Sequence, residues 1–284
     1  MLKGIFLIIG AATCWGMGGV AGQYLYQYHQ ADMIWLCMAR QILAGCMFLL
    51  FAAFVQKQDI FAILKADTWN IIEFSFLGIL GAQLGFYYTI GLCNAATATV
   101  LQYMAPIYVM LWMSYKSRKI PDGRELIGIV GALVGVFLIA THGSLDSLAI
   151  SPIALTIGVL SALSYAYYSI KPGQMLKKYT AATLISGVAL IIWRNPFTPA
   201  GHWDMSGYLA FAYLLLGATI ASYAFYLAGL KIVGPTKASL ISCAEPLASI
   251  ISVVLLLNTE LAGADYIGMA CIIFTVLLLS LPKK

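Results

Sequence analysis

The chain has 284 residues, 62% of them hydrophobic and 10% charged, with a mean hydropathy of +0.90 and a formal net charge of +5. That composition excludes an ordinary soluble domain and predicts an all-α integral membrane protein. The basic excess then belongs to membrane topology and anionic lipid rather than to nucleic acid.

A helix that crosses about 30 Å of hydrocarbon needs about 20 apolar residues. Such runs occur at 4–24, 33–55, 70–92, 95–115, 125–142, 152–171, 179–193, 207–230, 235–257 and 265–281, which makes ten expected spans. Span one carries "AATCWG" with Trp15 and the small-residue run "GMGGVAG". Small residues four apart let helices approach closely. Lys3 ahead of an apolar run, with "GVAGQ" behind it, also has the outline of a signal peptide. Removing it would leave nine spans and upset the charge pattern below, so a retained helix is the stronger reading. Span two holds Arg40 in "MARQILAG", and span three holds Gln83 and the aromatic run 86–88 with Tyr87.

Span four carries Gln102, Tyr103 and a mid-span Pro106, and span nine carries Ser242, Glu245 and Pro246. A proline cannot donate to the carbonyl four residues back. The carbonyls of Gln102 and Ser242 are therefore expected to be available at equivalent places. Span six contributes Tyr165 and Tyr168 from "SYAYYS", and span eight contributes Tyr223 and Tyr226. Tyr and Trp prefer membrane interfaces, so rings at inner positions point to a cavity suited to amphipathic solutes or, through cation–π attraction, to cations. Gln83 and Gln102 add amides that would orient a ligand. The 15-residue seventh run would reach only about 22 Å.

Basic residues test the count, because Lys and Arg stay on the cytoplasmic side of short loops. With the N-terminus inside, 14 of the 16 fall on cytoplasmic segments, Arg194 lies outside and Arg40 lies within a span. Omitting the seventh span leaves 11 inside and 4 outside. Both termini are therefore expected in the cytoplasm.

The halves repeat. "TATVLQYMAPIYVML" around Pro106 answers "TKASLISCAEPLASI" around Pro246, and Gly128 answers Gly268, each 140 residues apart. Five spans per unit is an odd number, so the second unit, 146–284, enters the membrane inverted relative to the first, 1–145. Inverted repeats of this kind characterise secondary transporters with a site near the bilayer midplane.

Arg40 and Glu245 are the acid and base placed well inside spans. At helical rise Arg40 lies about 12 Å below the outer boundary and Glu245 about 14 Å above the inner one. A central charge costs about 2.5–3.5 kcal/mol on insertion scales, so each needs a partner or a wet cavity. Three roles stay open: one ion pair locking the halves, a carboxylate facing an amine or cation, or a proton-coupling group at Glu245. The six cysteines fall inside spans without a C-x-x-C pair, so neither disulfide nor metal is expected. No nucleotide-binding loop is present and the histidines, His29, His142 and His202, are scattered near span ends, so the chain reads as no enzyme and needs no cofactor.

"AATCWG" in span one, the single Arg of span two, "EP" in span nine and "NTEL" followed by "YIG" entering span ten together resemble the EamA-type branch of the drug/metabolite transporter superfamily over essentially the whole chain. Two departures stand out: "AP" at 105–106 where the second unit has "EP", and "KSRKIPDGREL" in place of the loop-plus-Glu pattern at Glu260. The resemblance implies a multi-pass carrier of the cytoplasmic membrane. It implies a central site on helices one, three, four, six, eight and nine, drawing on Trp15, Gln83, Tyr87, Gln102, Tyr103, Tyr165, Tyr168, Tyr226, Ser242 and Glu245. The expected activity is secondary active transport of a small organic metabolite by alternating access. An amino acid is the first candidate and export the favoured direction, with proton coupling if Glu245 titrates. An importer of an organic cation such as a quaternary amine is the alternative. A channel or a membrane-embedded enzyme is the reading from other classes.

Overall fold

The computed structural model describes residues 1–92, 95–147, 151–177, 179–180, 201–257 and 262–280. The expected seventh span lies outside them apart from Tyr179 and Thr180, as do Cys93, Lys178, Arg194, Glu260, Lys283 and Lys284. Among the described residues every regular element is helical.

α1, Leu2–His29, is 28 residues long and ends where Gln30 turns into the left-handed region at φ 52°. At 1.5 Å per residue it measures about 42 Å, more than the hydrocarbon thickness. It outruns the expected 4–24, and its last turn is tied down where His29 Nδ1 lies 2.9 Å from the His202 carbonyl oxygen. α2, Met33–Leu50, begins at Asp32, whose carboxylate accepts the N–H groups of Ile34 and Trp35 at 2.8 and 2.9 Å. A π-helical turn, Phe51–Val55, carries it to the expected end. The third span is α3, Ile60–Glu73, a π-helical stretch Phe74–Leu80, and α4, Gly81–Leu92.

Span four is not one helix. α5, Ala95–Gln102, stops at a turn through Tyr103 and Met104, and α6, Ala105–Ser117, restarts with Pro106 in its first turn, where a missing N–H is no loss. α7, Gly123–Thr141, opens with a capping box between Asp122 and Glu125. α8, Pro152–Ile170, is capped by Ser151, whose hydroxyl accepts the Ala154 N–H at 3.1 Å, and a single turn, α9, Pro172–Met175, follows. The eighth span is α10, Met205–Leu215, a π-helical stretch Leu216–Ala221, and α11, Ser222–Val233. Hydrogen bonds from the Ser206 hydroxyl and the Gly207 N–H hold the carboxyl of Asp204, at the start of α10, below its ordinary range.

Span nine also breaks. α12, Pro235–Ile241, and α13, Ala244–Leu257, are separated by a turn at Ser242 and Cys243. The Ser242 carbonyl, expected to be free because of Pro246, instead accepts the Glu245 N–H at 2.9 Å and the Tyr103 hydroxyl at 3.4 Å. A tightened turn and a neighbouring side chain have replaced the donor that proline lacks. α14, Gly263–Ser280, completes the described chain.

Six helical stretches are long and apolar enough to cross a bilayer among the described residues: Leu2–His29, Ile34–Val55, Lys65–Ile90, Gly123–Thr141, Pro152–Ile170 and Met205–Val233. Large apolar side chains such as Phe6, Val130, Leu255 and Leu277 face outward, as lipid contact requires. α1 packs along α11 and α13, while α8 packs along α4 and α6. α7 and α14 pack on each other. A Cβ on Gly135 would lie 2.8 Å from the Gly268 carbonyl oxygen, and one on Gly268 would lie 2.8 Å from that of Gly135. Only glycine on both helices permits that approach. The described cysteines, Cys14, Cys37, Cys46, Cys243 and Cys271, are unbridged.

Candidate substrate pocket

A pocket opens between the two packed groups. α1 gives Trp15, Gly18 and Gly19; α2 gives Arg40; and the third span gives Gly78, Ile79, Ala82, Gln83, Phe86 and Tyr87. Gln102, Tyr165, Tyr168, Ala218, Tyr223 and Glu245 close the wall. Of the residues singled out in the sequence, Trp15, Arg40, Gln83, Tyr87, Gln102, Tyr165, Tyr168, Tyr223 and Glu245 lie on this wall. Tyr103, Tyr226 and Ser242 lie directly behind it, bonded to or stacked on wall residues.

Arg40 is 4% exposed. Its Nη2 donates to Gln83 Oε1 at 2.5 Å and to the Tyr87 hydroxyl at 3.4 Å, and its Nη1 donates to Thr219 Oγ1 at 3.3 Å. Its guanidinium carbon stands 5.6 Å from the Tyr87 ring centroid, within cation–π range. The fork thus joins α2 to the third and eighth spans, a geometry an ammonium cannot reproduce.

Glu245 faces the pocket from the first turn of α13, and the Tyr103 hydroxyl donates to its Oε2 at 2.6 Å. No ion pair joins Arg40 to Glu245 among the described residues, whose ion pairs include His29–Asp204, His142–Asp265 and Lys171–Glu73. The expectation of one pair locking the halves is therefore not met. Each charge is solvated by its own neutral donors or acceptors, and both remain presented to the same space.

The other polar groups hold the wall in register. Gln102 Nε2 donates to the Ala82 carbonyl at 3.0 Å and to Ser161 Oγ at 3.1 Å. The Tyr165 hydroxyl donates to Ser242 Oγ at 3.0 Å, and Tyr226 is 2.6 Å from Ser169 Oγ. Gln41 Nε2 donates to the Tyr223 hydroxyl at 2.6 Å. Tyr168 stacks between Phe74 and Tyr226, at centroid distances of 5.9 and 5.2 Å, and Trp15 leans on Tyr226 at 5.3 Å. Among the buried groups without a partner are the Trp15 indole N–H and the Tyr168 hydroxyl, both on residues lining the pocket. An unmet buried donor costs about 1–3 kcal/mol, so these two favour an occupant that offers an acceptor.

Sequence reasoning did not single out Gln41, Ser161, Ser169 or Thr219. Gln41 carries a readable signal, an amide beside Arg40 in an apolar run. The hydroxyls carry none, since Ser and Thr in spans commonly bond their own helix, as Thr219 does to the Leu214 carbonyl at 2.7 Å.

The sequence profile of the EamA-like transporter family matches residues 2–141 and 152–281. The chain belongs to this family. It is similar, at 36% identity over 99% of its length and 96% of the other protein's, to the uncharacterized inner membrane transporter YicL of Salmonella typhimurium. A second relative, the uncharacterized transporter YcbK of Bacillus subtilis, is 24% identical over 96% of this chain and 90% of its own. A solved crystal structure superposes with a TM-score of 0.81 at 15% identity, covering 99% of this chain and 97% of its own, and speaks to the fold alone. The EamA-like transporters belong to the drug/metabolite superfamily, and this member is a multi-pass membrane protein that moves a small molecule across a lipid bilayer.

Proposed function

We propose that this EamA-like transporter is a secondary active carrier of zwitterionic metabolites, amino acids first among them, and that it exports them by alternating access. In this reading the chain crosses the membrane ten times as two inverted five-helix units, 1–145 and 146–284, with both termini in the cytoplasm. Two profile matches, one per half, support the duplication. So do the paired π-helical stretches Phe74–Leu80 and Leu216–Ala221, and the paired breaks before Ala105 and Ala244. Exchanging the halves also maps α1 with its partners α11 and α13 onto α8 with its partners α4 and α6.

The observation that carries the cargo is that Arg40 and Glu245 line one aromatic pocket without pairing with each other. A zwitterion matches that arrangement: its carboxylate meets Arg40 and the free donors of Trp15 and Tyr168, and its ammonium meets Glu245 and the ring faces. A quaternary amine matches it less well, because the buried guanidinium opposes net positive charge on the same wall. The proton gradient is a candidate drive, through Glu245.

Counterflow in proteoliposomes tests the reading, with a labelled amino acid mixture chased by amino acids, choline or nucleobases. Amino acids are expected to exchange and choline is not. Glu245→Gln removes a charge-assisted contact of about 1.5–3 kcal/mol, so exchange of zwitterions is expected to fall by about tenfold or more. Undiminished exchange by that variant, with unchanged pH dependence, removes Glu245 from the mechanism.

A further inference from the structure

The groups beneath the pocket form a seam that runs toward one end of the molecule. Tyr103 donates to Glu245, Tyr165 donates to Ser242, and Ser169 meets Tyr226. Each bond joins the α5–α6 turn or α8 on one side to α11, α13 or the turn before α13 on the other. Ser169 lies one residue before the end of α8, followed by Lys171, which bonds Glu73 at 3.1 Å. A Cβ on Gly173, just beyond, would lie 4.0 Å from the Pro235 ring. On the other side, Gln83, Phe86 and Tyr87 carry the pocket away from this end, Tyr87 standing 14 residues past Glu73, about 21 Å along the helix. The seam therefore lies on the Lys171 side of the pocket.

The two broken helices meet at their breaks. Tyr103 is the first residue of the α5–α6 turn, and Glu245 follows the α12–α13 turn by one residue. Their partners under the 140-residue repeat are Cys243 and Ala105. Ala105 offers no side-chain acceptor, and the Cys243 thiol is directed to the Ser239 carbonyl at 3.6 Å. The same contact therefore has no counterpart when the halves are exchanged.

We infer that the Tyr103–Glu245 hydrogen bond is a one-sided catch that holds the Lys171 face of the empty carrier closed and is loosened when Glu245 is taken by cargo. This rests on the alternating-access reading above. The carboxylate that would receive a ligand ammonium is the one that anchors the seam. An ammonium brings a full positive charge to the Glu245 carboxylate, where the Tyr103 hydroxyl offers only a dipole, so Coulomb attraction favours the cation as the partner. Loading the pocket and unfastening the seam then become one event. The lack of a mirror contact biases the unloaded protein toward closure on this face. Tyr103 is in these terms a positioning residue.

Hydrogen–deuterium exchange on the full-length protein in nanodiscs tests the catch with no solute added, so a failed transport assay leaves its outcome intact. Tyr103→Phe deletes the hydroxyl and keeps the ring. It is expected to speed exchange of amides in α12 and the last turn of α8 by about fivefold, as the loss of one such bond predicts. Glu245→Gln keeps an oxygen that accepts from Tyr103 and is expected to stay within about twofold of the parent. α7 and α14, which take no part in the seam, report on general loosening. The catch is overturned if Tyr103→Phe leaves the seam unchanged, if Glu245→Gln opens it equally, or if α7 and α14 speed up in parallel.

Discussion

Arg40 sits where three helices meet, and its two terminal nitrogens serve different ones. Removing it leaves Gln83 Oε1 facing an emptied space, while Thr219 Oγ1 keeps its bond to the Leu214 carbonyl, and an unmet buried polar group costs about 1–3 kcal/mol. Arg40→Ala is accordingly expected to lower the melting temperature in detergent, and Arg40→Lys to recover only part of the loss, because a point charge cannot span both acceptors. Full recovery by Lys would show that charge alone matters there. Arg40 and Glu245 were legible in the sequence, since a charge in an apolar run is conspicuous. Their separation was not, because helical rise gives depth and says nothing of azimuth. Two charges at similar depth read as a pair, and only the packed helices show them facing a shared space from different sides.

At the scale of elements, small residues set how near two helices come. A Cβ on Gly16 would lie 2.6 Å from the Glu245 carbonyl oxygen and 2.7 Å from the Ser249 amide nitrogen, so α1 presses on the very turn of α13 that holds the carboxylate. Gly16→Ala is expected to push these helices apart at a cost of about 1–3 kcal/mol, the usual range for overpacking. At Gly19, which lines the pocket, an added Cβ would meet nothing within 4 Å. Gly19→Ala is expected to hold the melting temperature while weakening exchange of bulky solutes; equal loss of stability in both variants would contradict the contact pattern. The breaks in spans four and nine were foreshadowed by Pro106 and Pro246. The π-helical stretches Phe74–Leu80 and Leu216–Ala221 were not, for no residue type encodes the i→i+5 bond that defines them.

For the molecule as a whole, charge and duplication speak about orientation. The segment 116–124 carries Lys116, Arg118, Lys119 and Arg124, a density that places this loop in the cytoplasm in the topology proposed above. α7, Gly123–Thr141, is 19 residues of apolar helix and delivers the chain to the turn at His142 and Gly143. In that topology one crossing separates the two loops, so they are expected to face opposite compartments. In a background cleared of native cysteines, Ser144→Cys is expected to react with a membrane-impermeant maleimide on intact cells. Ser117→Cys is expected to react only after permeabilisation. The reverse result would turn the protein over and place the Lys171 face outside, making the seam an outer closure. Labelling of both positions from one side would remove α7 as a crossing, and with it the odd number of spans that inverts the second half. Because the Tyr103–Glu245 bond joins the two halves, the side of the membrane that it faces follows from this one measurement.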